Sequence, residues 1–171
     1  MECLFVIDIQ KGFISDETEM ILPKIKQLMS DFTGGIIVAT QFVNTANSGF
    51  TDILHWGRLK QPPEIELIQF VKEKATYITQ KFTYSACTDS VMQILSEFKI
   101  KEVYISGIDT DCCVLSTAIG LFERNIRPVV LEKYCASNGG VTSHKAAITV
   151  LERTIGLKQI NFDQFARKRE V

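Results

Sequence analysis

The chain carries almost no excess charge: nineteen Lys and Arg stand against twenty Asp and Glu in 171 residues, a formal net charge of −1. That balance lacks the positive field that a phosphate backbone or an anionic lipid surface requires, so nucleic acid and membrane partners are not expected. Histidine is scarce, with two in the chain, too few for a usual zinc site. The five cysteines are an odd number and none is in C-x-x-C spacing, which argues against a disulfide scaffold and leaves each as a buried small hydrophobe or a reactive thiol. Glycines nowhere form G-x-G-x-x-G and no Walker lysine is present, so the sequence offers no phosphate-cradling fingerprint. There is no internal repeat, low-complexity tract or linker. The first apolar run meets Asp8 before a signal-peptide core or a membrane span is complete, and the expected location is the cytoplasm.

What is present describes a folded domain. Hydrophobic residues make up 46% of the chain and charged residues 23%, enough apolar material for a substantial core. At this length one core can still grow, so residues 1–171 are read as a single domain. Residues 4–9 (LFVIDI), 35–43 (GIIVATQFV), 102–108 (EVYISGI) and 127–131 (RPVVL) are short, nearly continuous apolar runs, the pattern of strands buried on both faces; the shorter 76–79 (TYIT) reads as another. Between them lie stretches of helical period. Pro23 opens one that carries Ile25, Leu28, Met29 and Phe32 and stops at Gly34-Gly35. Further helices are expected over 64–74, 89–98, 111–124 and 141–154. Strands alternating with helices imply right-handed crossovers and a parallel sheet covered on both sides, a doubly wound, Rossmann-like three-layer α/β fold. Residues 44–61 show no convincing period beyond one helical turn, and a loop of that length inside a compact domain is usually functional.

In such a sheet, ligands bind outside the carboxyl ends of the strands. Asp8 closes the first run, Lys81 follows the short one, and Cys112-Cys113 stand where the 102–108 strand turns into a helix. An acid, a base and a thiol at one edge make a catalytic set, although each has a plainer role open to it. An Asp at a strand end caps turns, a lysine there reaches for water, and Asp109, Thr110 or Asp111 can cap the helix. A thiol in a first helical turn is more suggestive, because backbone N–H groups and the dipole favour the thiolate. Periodicity places Cys112 on an apolar row with Leu115, Ile119 and Phe122, and Cys113 with Ser116, Thr117 and Gly120, so Cys112 is expected in the core and Cys113 exposed. Cys3, Cys87 and Cys135 read as buried hydrophobes, and His144 as a surface or capping residue.

Asp8 in VIDIQKGF, Lys81 in KFTYSAC and Cys113 in SGIDTDCCVLSTA resemble, in order and spacing, the motifs of the isochorismatase-like cysteine hydrolases, the superfamily of nicotinamidases and N-carbamoylsarcosine amidohydrolase. The resemblance covers almost the whole chain. It implies a parallel six-stranded sheet, an Asp8-Lys81-Cys113 triad, a non-proline cis peptide between Ile108 and Asp109, and an oxyanion hole made by the N–H groups of Asp109 and Cys113. It also implies amide hydrolysis through a thioester. Phe13, Asn44, Trp56 and Tyr84 are the residues expected to touch the substrate, a small amide or ureido compound. Nicotinamidases carry a metal held by an Asp, a His two residues on and a later His; here that stretch reads Thr40-Gln41-Phe42-Val43-Asn44, and Asp52 and His55 alone do not complete a set. No metal is therefore expected. Asp109 stands where a smaller residue is frequent in the family, a change in the charge of the site. Family members commonly associate, and with Phe50, Ile53, Leu54 and Trp56 in the long loop a homo-oligomer is expected. Two other readings compete: an isochorismatase-type vinyl-ether hydrolase, which would not depend on the cysteine, and a non-catalytic small-molecule-binding module, which has no need for the three side chains to converge.

Overall fold

A computed structural model describes residues 1–161; the end of the domain expected over 1–171 lies outside the described residues. Six strands form one sheet: β1 (Glu2–Ile7), β2 (Gly35–Phe42), β3 (Tyr77–Lys81), β4 (Glu102–Ile108), β5 (Arg127–Ala136) and the short β6 (Ile160–Asn161). Their order across the sheet is β3-β2-β1-β4-β5-β6, and every pairing is parallel. The helices are α1 (Leu22–Asp31), the short α2 (Gly49–Asp52), α3 (Gln69–Lys74), α4 (Asp89–Glu97), α5 (Leu115–Phe122) and α6 (Gly140–Leu151).

Strand alternation divides the core. Cys3, Phe5 and Ile7 of β1 face one side, where Val91 and Leu95 of α4, Ala118 and Leu121 of α5 and Ile148 and Leu151 of α6 cover them. Leu4 and Val6 face the other, against Ile25, Leu28 and Met29 of α1 and Val71 of α3. All five of these β1 side chains are fully buried, which is why the run shows no polar alternation. The chain winds outward from β1 through β2 to β3, then crosses back to β4 on the far side of β1. The carboxyl ends of β1 and β4 therefore flank the crevice where strand order reverses. Ile7 pairs with Gly107 there, and Gly107 has a positive φ of 131°. A Cβ on Gly107 would lie 2.2 Å from the Ile7 carbonyl oxygen, so only glycine lets the two strand ends approach this closely.

Three expectations need correction. The helix expected over 64–74 is confined to Gln69–Lys74. Pro62–Pro63 is cis, and the carbonyls of Glu64 and Glu66 accept bonds from the Gly12 and Lys11 N–H groups, so this piece is committed to the loop after β1. The helix expected over 111–124 opens as a wide π turn at Thr110–Val114 before α5 begins. The apolar row on it is also not its buried face: Val114, Ala118 and Leu121 are buried, whereas Phe122 is 49% exposed. Last, the strand read over 127–131 continues to Ala136.

Candidate active site

β1 ends one residue before Asp8, whose backbone turns into the left-handed region (φ 51°), a conformation Asp tolerates better than most residues. The turn leaves Asp8 fully buried. Thr40, on the neighbouring β2, donates its hydroxyl to Asp8 Oδ1 at 2.7 Å and accepts the Asp8 N–H at 3.2 Å. Asp8 Oδ2 meets Lys81 Nζ at 2.8 Å. Lys81 closes β3, two strands away, and its side chain runs inward rather than out to water: it is 1% exposed. Its ammonium also donates to the carbonyls of Thr83 and Tyr84, both at 2.9 Å, and sits 5.1 Å from the centre of the Phe42 ring.

The third group comes from the π turn after β4, where the Ile108–Asp109 peptide is cis. Cys113 Sγ lies 3.3 Å from Lys81 Nζ, and the Asp8 carboxylate is near enough to act on the thiol electrostatically. Asp8, Lys81 and Cys113 thus meet at one point. Burial disfavours the Lys81 charge, yet the Asp8 carboxylate and the Cys113 sulfur together hold its ammonium above the ordinary lysine range. Burial, reinforced by the charge of Asp8, pushes the Cys113 thiol well above the usual thiol range, with Lys81 pulling the other way. Burial and the nearby carboxylate thus work against the dipole-stabilised thiolate expected for a first helical turn. The site sets a buried thiol beside an Asp8–Lys81 ion pair.

The burial expected of the two cysteines is reversed. Cys113 is 4% exposed and belongs to the core cluster, while Cys112 is half-buried, its thiol raised to about 11 by burial and then by Asp111 and Asp109. The π turn is the reason: with more residues per turn it rotates less than 100° per residue, which moves the side chains off the spacing on which the row of Cys112, Leu115, Ile119 and Phe122 was drawn. Both cysteines line the same cavity, of about 390 Å³.

Phe13, Phe42, Phe50, Trp56 and Tyr84 form an aromatic part of the cavity wall. Phe13 and Trp56 stack with centroids 6.2 Å apart, and Phe50 stands edge-on to Phe42 at 4.9 Å and to Tyr84 at 4.8 Å. Of the expected contact residues, Phe13, Trp56 and Tyr84 line the space and Asn44 does not. Asn44 is 2% exposed and spends its side chain on the loop, donating to the carbonyls of Trp56 and Arg58 and accepting from Ser48. It shapes the wall from behind. Phe50 and Trp56 of the long loop pack inward, while Ile53 and Leu54 are exposed. Phe42, Thr40 and Asn138 were not singled out by sequence, although Thr40 near the carboxyl end of β2 and Asn138 just past β5 both satisfy the strand-end rule. His144 is tied to the π turn, its Nδ1 2.8 Å from the Thr110 hydroxyl.

Among the described residues no group of three or more His, Cys, Asp and Glu is placed to hold a metal ion. The stretch where nicotinamidases hold theirs does not fit one: Phe42 packs on Lys81, Asn44 is occupied by its loop, and Asp52 and His55 are exposed.

A sequence model of the isochorismatase domain matches residues 2–160. The isochorismatase family protein PncA of Bacillus subtilis (strain 168) is 29% identical over 85 residues, 49% of this chain and 46% of the relative, so the match spans less than half of that relative's length. An isochorismatase-like hydrolase from Alkaliphilus metalliredigens superposes with a TM-score of 0.84 at 21% identity, covering 99% of both chains. The N-carbamoylsarcosine amidase of Thermoplasma acidophilum superposes with a TM-score of 0.79 at 22% identity over 91% of this chain and 94% of its own. At such identities the two structures speak to the shared fold.

Proposed function

The chain belongs to the isochorismatase family of hydrolases, and from that premise we propose that it is a cysteine amidohydrolase that cleaves a small amide or ureido C–N bond with Asp8, Lys81 and Cys113 and without a metal. The observation that carries this reading is the convergence of the three side chains behind the cavity wall to which Cys113 belongs, with Lys81 Nζ 2.8 Å from Asp8 Oδ2 and 3.3 Å from Cys113 Sγ.

Asp8 takes the proton of the neutral Cys113 thiol as the sulfur attacks the substrate carbonyl carbon. Lys81 keeps the carboxylate in place and balances the charge that builds at the sulfur. The N–H groups of Asp109 and Cys113, both residues lining the cavity, hold the oxyanion, a contribution on the order of 3 kcal/mol per donor. The tetrahedral adduct collapses with cleavage of the C–N bond, and Asp8 returns its proton to the departing nitrogen, leaving a thioester and ammonia or an amine. Water then gives a proton to Asp8 as its oxygen attacks the thioester. Cleavage of the C–S bond releases the acid, and the proton goes back to the sulfur.

The test is ammonia release from a panel of small amides and ureido acids by wild type and by Cys113→Ala. The reading expects turnover of at least one compound, abolished in the variant. Turnover that survives in Cys113→Ala would overturn it.

A further inference from the structure

The cavity holds a carboxylate that the triad does not use. Asp109 follows β4 directly and is the only acidic side chain on the cavity wall among the described residues. Its Oδ1 accepts both the backbone N–H of Asn138, at 2.7 Å, and the Asn138 side-chain amide, at 2.8 Å. Asn138 is fixed in turn: its Nδ2 donates to the Phe13 carbonyl at 3.1 Å and its Oδ1 accepts the Ser15 hydroxyl at 2.8 Å. Half of the Asp109 carboxylate is thus locked in place, while no protein donor reaches Oδ2 among the described residues.

Among the described residues no protein cation answers this charge either. Burial, and then Asp111 and Asp8, both negative, raise the Asp109 carboxyl above the usual range against the pull of the Asn138 bonds. Lys81 is committed to Asp8, and Arg58, the one basic side chain on the cavity wall among the described residues, turns its guanidinium to Glu64 at 2.9 Å and is 58% exposed. Asp109 is half-buried on the cavity wall, and a cationic ligand there would supply the charge partner that its carboxylate lacks among the described residues. Phe13, Phe42, Phe50, Trp56 and Tyr84 also line the cavity, and aromatic rings are compatible with a cation.

We propose that Asp109 selects the substrate: the amide this site takes carries a protonated nitrogen, an ammonium, amidinium or guanidinium group, which pairs with Asp109 Oδ2 while the carbonyl lies against Cys113. This inference rests on the amidohydrolase reading and names its substrate class.

The experiment compares 5-aminopentanamide, its uncharged isostere hexanamide and the neutral donor 5-hydroxypentanamide at pH 7.5. kcat/KM is measured with wild type and Asp109→Asn, and binding is measured calorimetrically with Cys113→Ala and Cys113→Ala/Asp109→Asn. The expected result is a preference for the ammonium compound of roughly ten- to a hundredfold over hexanamide, the worth of one charge-assisted hydrogen bond, lost in the Asp109→Asn background. Equal use of 5-aminopentanamide and hexanamide by wild type overturns the inference without need of the variant, and leaves the amidohydrolase reading standing. A preference as large for the hydroxyl compound overturns the cationic class in favour of a neutral donor, as does a preference that survives in Asp109→Asn. If no amide is hydrolysed but Cys113→Ala binds the ammonium compound selectively through Asp109, the selection stands and the catalytic reading fails. Absence of selective binding as well overturns both.

Discussion

Lys81→Met separates an ion pair that stabilises the domain from one that serves only chemistry. Lys81 and Asp8 are 1% and 0% exposed, and their charges stand 2.8 Å apart. At an effective dielectric constant of about 20 the attraction is on the order of 6 kcal/mol, most of it offset by the desolvation of both groups. Methionine keeps much of the stem volume but leaves the Asp8 carboxylate buried with the Thr40 hydroxyl as its one side-chain hydrogen-bond donor among the described residues. Removing one member of a buried pair typically destabilises by about 3–5 kcal/mol, because the survivor is uncompensated. The carbonyls of Thr83 and Tyr84 also lose a donor, but Tyr84 is 39% exposed and water can replace part of that loss. With a urea slope of roughly 2 kcal/mol per molar, the unfolding midpoint should fall by about 2 M. The double variant Asp8→Asn/Lys81→Met is the decisive comparison: Asn keeps an acceptor for Thr40 and tolerates the positive φ, so the double variant should be less destabilised than the sum of the singles by about 1–3 kcal/mol. Strict additivity, or a single variant within 1 kcal/mol of wild type, would refute the view that Asp8 depends on Lys81 for its burial.

Iodoacetamide at pH 7.5 should alkylate Cys113 faster than Cys112, because only Cys113 has a base in contact, and Asp8→Asn should slow that labelling; peptide mapping that finds Cys112 alone modified would contradict the mechanism. Asn44→Ala should destabilise by about 2 kcal/mol through its buried loop bonds and increase proteolysis within residues 44–59, where Trp56 and Arg58 are held, rather than act as the loss of a substrate contact. Asp109 has a raised carboxyl, so its contribution to folding is full below the ordinary value of 3.8 and is lost as pH rises through the raised one. Asp109→Asn should accordingly raise the urea midpoint at pH 7, with a gain that shrinks toward pH 4; a gain equal at both would contradict this. EDTA treatment should leave turnover unchanged, and loss restored by zinc, iron or manganese would show a metal site in the chain.

Much of the architecture follows from local pattern. The apolar runs at residues 4–9, 35–43 and 102–108 have no wet face, and that alone calls for a parallel sheet covered by helices on both sides. The strand-end rule then points to Asp8, Lys81 and the cysteine pair, although a capping or solvent-reaching role was open to each and local pattern could not choose between them. What local pattern does not contain is the partner of each surface. Residues 64–68 carry a helical spacing but are drawn out by backbone bonds to Lys11 and Gly12, some fifty residues earlier in the chain. Asn44 has the side chain of a ligand contact, yet its bonds go to carbonyls of its own loop. The order of Cys112 and Cys113 was decided by a π turn, because a helical row drawn at 100° per residue misplaces side chains wherever the winding is wider. The pairing of Lys81 with Asp8 required two strands to bring their ends together across a third, and that reach is set by the order of strands in the sheet, which periodicity along a chain does not encode.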